Sequence, residues 1–327
     1  MSIINLNIAE AQKTKKAALL ASILYLLLIA ILEGLKVENW IIAGGFNLCI
    51  WLSHNSRRFI LGFSIFILFA IIYDLMKVYP NYKVNPVDIA GIYHFEKSWF
   101  GVNSNGVLVT PNEFFSQHHN SFFDILGGFF YLNWIPLPVA FAFWLYFKNK
   151  KQFLNFSLTF LFVNIIGFCV YYIHPAAPPW YVAKYGFGLL QNTGGDTAGL
   201  GRFDELVHLN LFGSLYARNS NVFAAMPSLH CAYPVIVLFY SFKSNVKNMK
   251  WYFTLVMVGI WFTAIYSGHH YVIDAIMGIT CACVGIFIYQ SALLRIPFFK
   301  VFLSNYEQAI SIDAEYVLSE INVKDVS

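Results

Sequence analysis

Long apolar runs alternate with short polar gaps along this chain. A helix needs about 20 predominantly apolar residues to cross a bilayer. Six runs reach or approach that length: 17–35, 59–79, 122–147, 153–173, 251–267 and 271–294. Two shorter runs, 39–53 and 226–242, complete a set of eight, and the second of these opens on a polar motif. The predicted fold class is therefore all-α: a polytopic membrane helical bundle of six to eight transmembrane helices.

The basic residues test that pattern, because Lys and Arg collect on the cytoplasmic side of membrane proteins. In an eight-span topology Lys13, Lys15, Lys16, Arg57, Arg58, Lys148, Lys150, Lys151, Lys243, Lys247, Lys250, Arg295 and Lys300 fall on one face. Lys36, Lys77, Lys83, Lys97, Lys184, Arg202 and Arg218 fall on the other. With Lys324 of the tail the 21 basic residues divide 14 to 7, and dropping one span would scatter the clusters. The expected organisation is a cytoplasmic segment 1–16, a transmembrane catalytic domain 17–302 with its core at 122–296, and an acidic cytoplasmic tail 303–327. Two long loops, 80–121 and 174–221, lie on the non-cytoplasmic face, and the first has the mixed polar and aromatic character of an interfacial helix.

Composition narrows the class. Hydrophobic residues make up 58% and charged residues 12%, against about 45–50% and about 25% in soluble domains. The excess apolar surface is expected to face lipid. A net charge of only +4, with no basic stripe, excludes nucleic acid as a partner. No small-residue cleavage site follows the first apolar run, so that run is expected to remain as a span. Cys281 and Cys283 sit in an apolar helix and read as small hydrophobes rather than metal ligands.

Three polar breaks interrupt the apolar pattern, all on the same predicted face. The first is His174-Pro-Ala-Ala-Pro-Pro-Trp180-Tyr181, the second Met226-Pro227-Ser228-Leu229-His230, and the third Ser267-Gly268-His269-His270-Tyr271-Val272-Ile273-Asp274. Ionisable groups at membrane depth are costly, and they mark functional sites. At i and i+4, His270 and Asp274 share one helix face. The carboxylate can fix the tautomer of the imidazole and leave its other nitrogen free to attack. His230, opening a neighbouring helix, is placed to act as general acid and base. Two histidines and an orienting aspartate suit phosphoryl transfer through a phosphohistidine. A zinc site is the rival reading, although it would want a further ligand. His54, His94, His118, His119 and His208 read as ordinary interfacial side chains. A phosphate also needs donors. Lys184, Arg202, Arg218, His174 and His269 lie on the correct face, and Ser228 could bind phosphate oxygens or simply cap its helix.

These residues resemble the type-2 phosphatidic acid phosphatase superfamily. Pro227-Ser228-Leu229-His230 is similar to its Pro-Ser-Gly-His motif, and His270-x-x-x-Asp274 to the end of its third motif. The resemblance implies a phosphatase-type six-helix core, with His230 as general acid, His270 as nucleophile and Asp274 as its orienting group. The superfamily's phosphate cations are replaced. Gly167 stands where a Lys is expected, His174-Pro175 stands for Arg-Pro, and Thr263-Ala264 for Ser-Arg.

The stretches 177–181, 195–204 and 222–230 and the doublet His269-His270 resemble the inositol phosphorylceramide synthase branch. That likeness implies a phosphotransferase which moves phosphoinositol from phosphatidylinositol to ceramide, with no metal or cofactor. It also makes Arg202 the first choice for a substituted phosphate ligand. Hydrolysis of a lipid phosphate or polyprenyl diphosphate by the same histidines is the alternative, and a transporter or silent lipid-binding protein is a third reading. An integral membrane location with a non-cytoplasmic site follows, in a bacterial inner membrane by preference or a Golgi membrane.

Overall fold

The computed structural model describes residues 3–217, 221–246 and 249–311. Arg218 and Lys247 lie outside the described residues, as does 312–327 of the expected acidic tail. In chain order the helices are α1 (Ile3–Leu32), α2 (Val37–Leu52), α3 (His54–Leu75), α4 (Ala90–Phe100), α5 (Pro111–Gln117), α6 (Ser121–Tyr131), α7 (Pro136–Lys148) and α8 (Lys150–Ile173). There follow α9 (Pro179–Tyr185), α10 (Gly201–Val207), α11 (Leu211–Tyr216), α12 (Leu229–Lys243), α13 (Met249–Tyr266), α14 (Val272–Ser291) and α15 (Pro297–Ile310). A two-stranded hairpin, β1 (Val102–Ser104) and β2 (Val107–Val109), is the one sheet among the described residues. Its turn is Asn105-Gly106, both at positive φ, the pairing that two-residue hairpin turns demand.

All eight predicted runs form apolar helices. Six of these are long enough to cross a membrane, and α2 and α12 are the shorter pair. The fourth run is divided: α6 ends at Tyr131 and α7 begins at Pro136. Pro136 has no amide hydrogen to continue the ladder, so a new helix starts there, at the position proline tolerates best. The polar opening of the sixth run stays outside α12, which starts at Leu229 with Ser228 as its cap.

Two compact units divide the chain, Met1–Ala70 with Pro297–Ser327, and Ile71–Ile296. In the first, α1 and α2 form an antiparallel pair held by Asn47 Nδ2 to Ser22 Oγ at 2.7 Å, and the Tyr306 hydroxyl of α15 donates to the Leu61 carbonyl at 2.7 Å. In the second, α8 packs against α7, α12 and α14, and α12 packs also against α13 and α7. Hydrophobic burial adds little between helices in lipid, so close packing and interhelical hydrogen bonds must hold such a bundle. Both are present. Tyr233 OH donates to Asn164 Oδ1 at 2.6 Å, Tyr289 OH to Asn155 Oδ1 at 3.0 Å, and Tyr240 OH to the Asn155 carbonyl at 3.0 Å. Outward-facing Phe122, Phe129, Trp251, Leu255 and Phe287 are exposed, as lipid-facing side chains are.

Candidate active site

Backbone pairing brings the three polar breaks together. Ala176 bridges Asp88 on one side and Ala224 on the other, so the segment after α8 and the segment before α12 run side by side. The Ala176 amide donates to the Phe223 carbonyl at 3.0 Å, and the buried Asn81 amide group ties the Tyr171 and Phe223 carbonyls. The third break joins through Trp180, whose amide donates to the Gly268 carbonyl at 3.1 Å. Gly268 sits at φ +75°, a left-handed turn that a side chain would strain. That turn reverses the chain after α13 and delivers His269 and His270 to the start of α14.

The two histidines meet there. His230 Nδ1 and His270 Nε2 are 2.9 Å apart, and His270 Nδ1 faces Asp274 Oδ2 at 3.5 Å. The second distance is that of an ion pair rather than a formed hydrogen bond, and catalytic contacts of this kind tighten when substrate binds. Asp274 is fully buried and is itself held by the Tyr271 amide, at 2.8 Å from Oδ2. His270 is fixed through its backbone as well. Its amide donates to the Ala264 carbonyl at 2.9 Å, and its carbonyl accepts from Asn112 Nδ2 at 2.8 Å. The Trp134 ring stands edge-on to His230, with centroids 4.3 Å apart. A small cavity of about 90 Å³ opens on His230, His269 and His270, walled by Trp134, Tyr171, Trp180 and Tyr233.

The expected phosphate ligands divide between places. His269 lines the histidine cavity, with Nδ1 3.0 Å from Ser267 Oγ. Burial and the neighbouring His270 hold its imidazole far below the ordinary value, at about 3, so it is neutral and offers hydrogen bonds but no charge. Arg202 and Lys184 line a second, larger cavity of about 630 Å³. Arg202 Nε donates to Asp124 Oδ1 at 2.7 Å, and Lys184 pairs with Asp196 at 2.7 Å. His174 borders neither cavity and faces Asp88 at 3.5 Å. Ser228 is fully buried. Its hydroxyl caps α12 by accepting from the Cys231 amide at 3.4 Å, and its own amide donates to the Asp274 carbonyl at 2.9 Å.

Several supporting residues had no prominence in the sequence. Glu96 of α4 is fully buried and accepts the Val272 and Ile273 amides, at 2.8 and 3.2 Å. Burial pushes its carboxyl up to about 7, although the two amides pull the other way. Asp124 gathers Arg202 and, at 2.9 Å, the Tyr266 hydroxyl. Its one available signal was a lone carboxylate in the first turn of an apolar helix. Asn112, which braces the His270 carbonyl, carried none.

Two histidines and a buried aspartate meet at one end of the helical membrane bundle, in a geometry that suits phosphoryl transfer. The family described as the PAP2 superfamily matches residues 92–288, more than half the chain, and the chain belongs to that superfamily. Within it, the chain is 48% identical over 292 residues to the phosphoinositol dihydroceramide synthase of Bacteroides thetaiotaomicron, covering 88% of this chain and 95% of that one. It is 29% identical over 229 residues to the inositol phosphorylceramide synthase catalytic subunit of Saccharomyces cerevisiae, covering 63% of this chain and 50% of that one. It is 25% identical over 271 residues to the inositol phosphorylceramide synthase of Candida albicans, covering 79% and 54%. The chain thus spans about half the length of the fungal relatives. No solved structure gives a significant match.

Proposed function

We propose that this protein is a membrane phosphotransferase that moves phosphoinositol from phosphatidylinositol to ceramide or dihydroceramide. The observation that carries the reading is the His230–His270–Asp274 relay. His270 Nδ1 faces the carboxylate, so Nε2 is the attacking atom. The proton on Nδ1 lies towards Asp274, which stabilises the imidazolium character that develops on attack.

The reaction runs in two steps. His270 Nε2 forms a bond to phosphorus as the bond to the diacylglycerol oxygen breaks, and protonated His230 gives that oxygen its proton. Neutral His230 then takes the proton from the primary hydroxyl of ceramide. The ceramide oxygen displaces His270 from phosphorus, and inositol phosphorylceramide leaves. In this reading His269 and the adjoining cations Arg202 and Lys184 hold the equatorial phosphate oxygens, with Ser228 and His174 as supports for the surrounding segments. The aromatic walls of the small histidine cavity favour transfer over hydrolysis, because they limit the water that can reach the intermediate. The synthase relatives support the same choice. The division of Lys and Arg supports a non-cytoplasmic site, and the bacterial relative supports an inner membrane.

Incubating the purified protein in mixed micelles with inositol-labelled phosphatidylinositol and a short-chain ceramide tests the reading. Labelled lipid product is expected only with ceramide, and none from His270→Ala. Water-soluble inositol phosphate, formed with or without ceramide, would replace the transferase by a hydrolase.

A further inference from the structure

The larger cavity is lined by none of His230, His270 and Asp274, yet it is built as a binding site. Its volume of about 630 Å³ falls in the range of small-molecule pockets. Its polar wall is mixed in character. Lys184 and Arg202 are matched by Glu113 and Asp196. Around it stand polar atoms that are buried and have no hydrogen-bond partner: Asn112 Oδ1, Tyr271 OH and Arg202 Nη2. Asn112 is 5% exposed and Tyr271 only 1%. Buried polar atoms are paired in the great majority of cases, so such exceptions call for an explanation.

The chemistry of the wall selects the ligand. A bare phosphate would be repelled by Glu113 and Asp196. An acyl chain would leave Asn112 Oδ1, Tyr271 OH and Arg202 Nη2 unsatisfied. A ring carrying several hydroxyls satisfies both kinds, since each hydroxyl donates once and accepts twice. Trp180 and Tyr266 add aromatic faces for the C–H side of such a ring.

We propose that this cavity binds the polyhydroxylated ring of the lipid head group, an inference that rests on the phosphoinositol reading above. The segment 267–271 borders both cavities. Ser267, Gly268 and Tyr271 border the larger, His269 and His270 border the smaller, and Trp180 borders both. A ring held on one side therefore directs its phosphate towards the histidines on the other. Tyr271 OH and Asn112 Oδ1 are the specificity contacts, and Arg202 Nη2 is the donor nearest the charged end of the ligand.

The test uses glycerophosphoinositol, a soluble head group, titrated calorimetrically into the full-length protein in micelles, with glycerophosphocholine as comparison. Tyr271→Phe removes one oxygen that has no partner, and Ser116→Trp fills the cavity from an exposed position on α5. Glycerophosphoinositol is expected to bind and glycerophosphocholine not. Binding should weaken several-fold in Tyr271→Phe and vanish in Ser116→Trp. The KM for phosphatidylinositol should rise in parallel, while the KM for ceramide holds. Absence of glycerophosphoinositol binding to the unaltered protein, or equal binding and equal KM in both variants, would overturn the proposal even if transfer is intact. Binding lost in the variants, with no transfer to ceramide by the unaltered protein, would keep the cavity and overturn the transferase.

Discussion

Glu96 accepts the backbone amide of Val272 at 2.8 Å, and so a residue of the first long loop holds the turn of α14 that carries Asp274. The start of a helix exposes unpaired amides and a partial positive charge, so a carboxylate there is stabilising. Two carboxylates share this start, since Asp274 takes the Tyr271 amide. Glu96→Ala would leave buried amides unpaired, at a cost of about 1–3 kcal/mol each. A lower unfolding temperature with reduced kcat, and little change in KM, is the expected outcome.

The raised Glu96 pKa has a consequence for pH. The folded protein binds this proton up to about 7, whereas the ordinary value is 4.5. The folded state therefore holds more protons than the unfolded chain between those limits. Stability from this group is fully present below about 4.5 and declines as pH rises through about 7. Unfolding scans in micelles across that range should show the decline, and Glu96→Gln should flatten it. An unchanged slope in the variant would assign the decline to other groups.

Asp274→Asn keeps the size of the side chain but loses the charge and can present the wrong partner to His270 Nδ1. A fall in kcat of about 10²–10⁴-fold is expected, with substrate affinity largely retained. Single-turnover measurement with labelled phosphatidylinositol should show slower loss of diacylglycerol. A variant as fast as the unaltered protein would mean that the aspartate only caps α14.

Ser228→Ala separates two roles for one hydroxyl. As a helix cap it contributes about 1 kcal/mol, and its loss lowers the unfolding temperature by a few degrees. As a phosphate ligand its loss would cost far more in kcat than in stability. Complete burial of Ser228 and its bond from Cys231 favour the cap. The expected result is a modest thermal shift with kcat within about threefold.

Gly278→Ala should be far more damaging than its size suggests. An added methyl would collide with the Ser228 carbonyl, a backbone atom with no freedom to move aside. The segment that positions His230 would be pushed away from α14. Loss of transfer in a protein that still extracts as a folded monodisperse particle is the expected outcome.

The spans and the histidines were legible because both stand out from an apolar background. Each run of about 20 apolar residues reports its own helix, and His230, His270 and Asp274 interrupt the runs where ionisable groups are costly. Glu96 was not legible for the converse reason: in a polar loop a carboxylate looks solvated, and only the folded chain brings it to Val272, 176 residues away. Arg202 and Asp124 are 78 residues apart, and neither one announces the other. Ser228 was visible, but the use of its amide by the Asp274 carbonyl is a tertiary fact. The break at Leu132–Ile135 was available from Pro136, and the long apolar run on both sides concealed it.

Gly167 stands where the wider superfamily resembled by this chain carries a lysine. A Cβ at that position would come within 2.8 Å of the buried Leu229 side chain, the immediate neighbour of His230. A lysine stem at that position would need the Leu229 side chain to turn aside, because the two compete for the same room. Positions 167 and 229 are thus coupled, and a change at either one alters packing beside His230. Positive charge for a bound phosphate must therefore come from elsewhere than position 167, as long as Leu229 keeps its place beside His230.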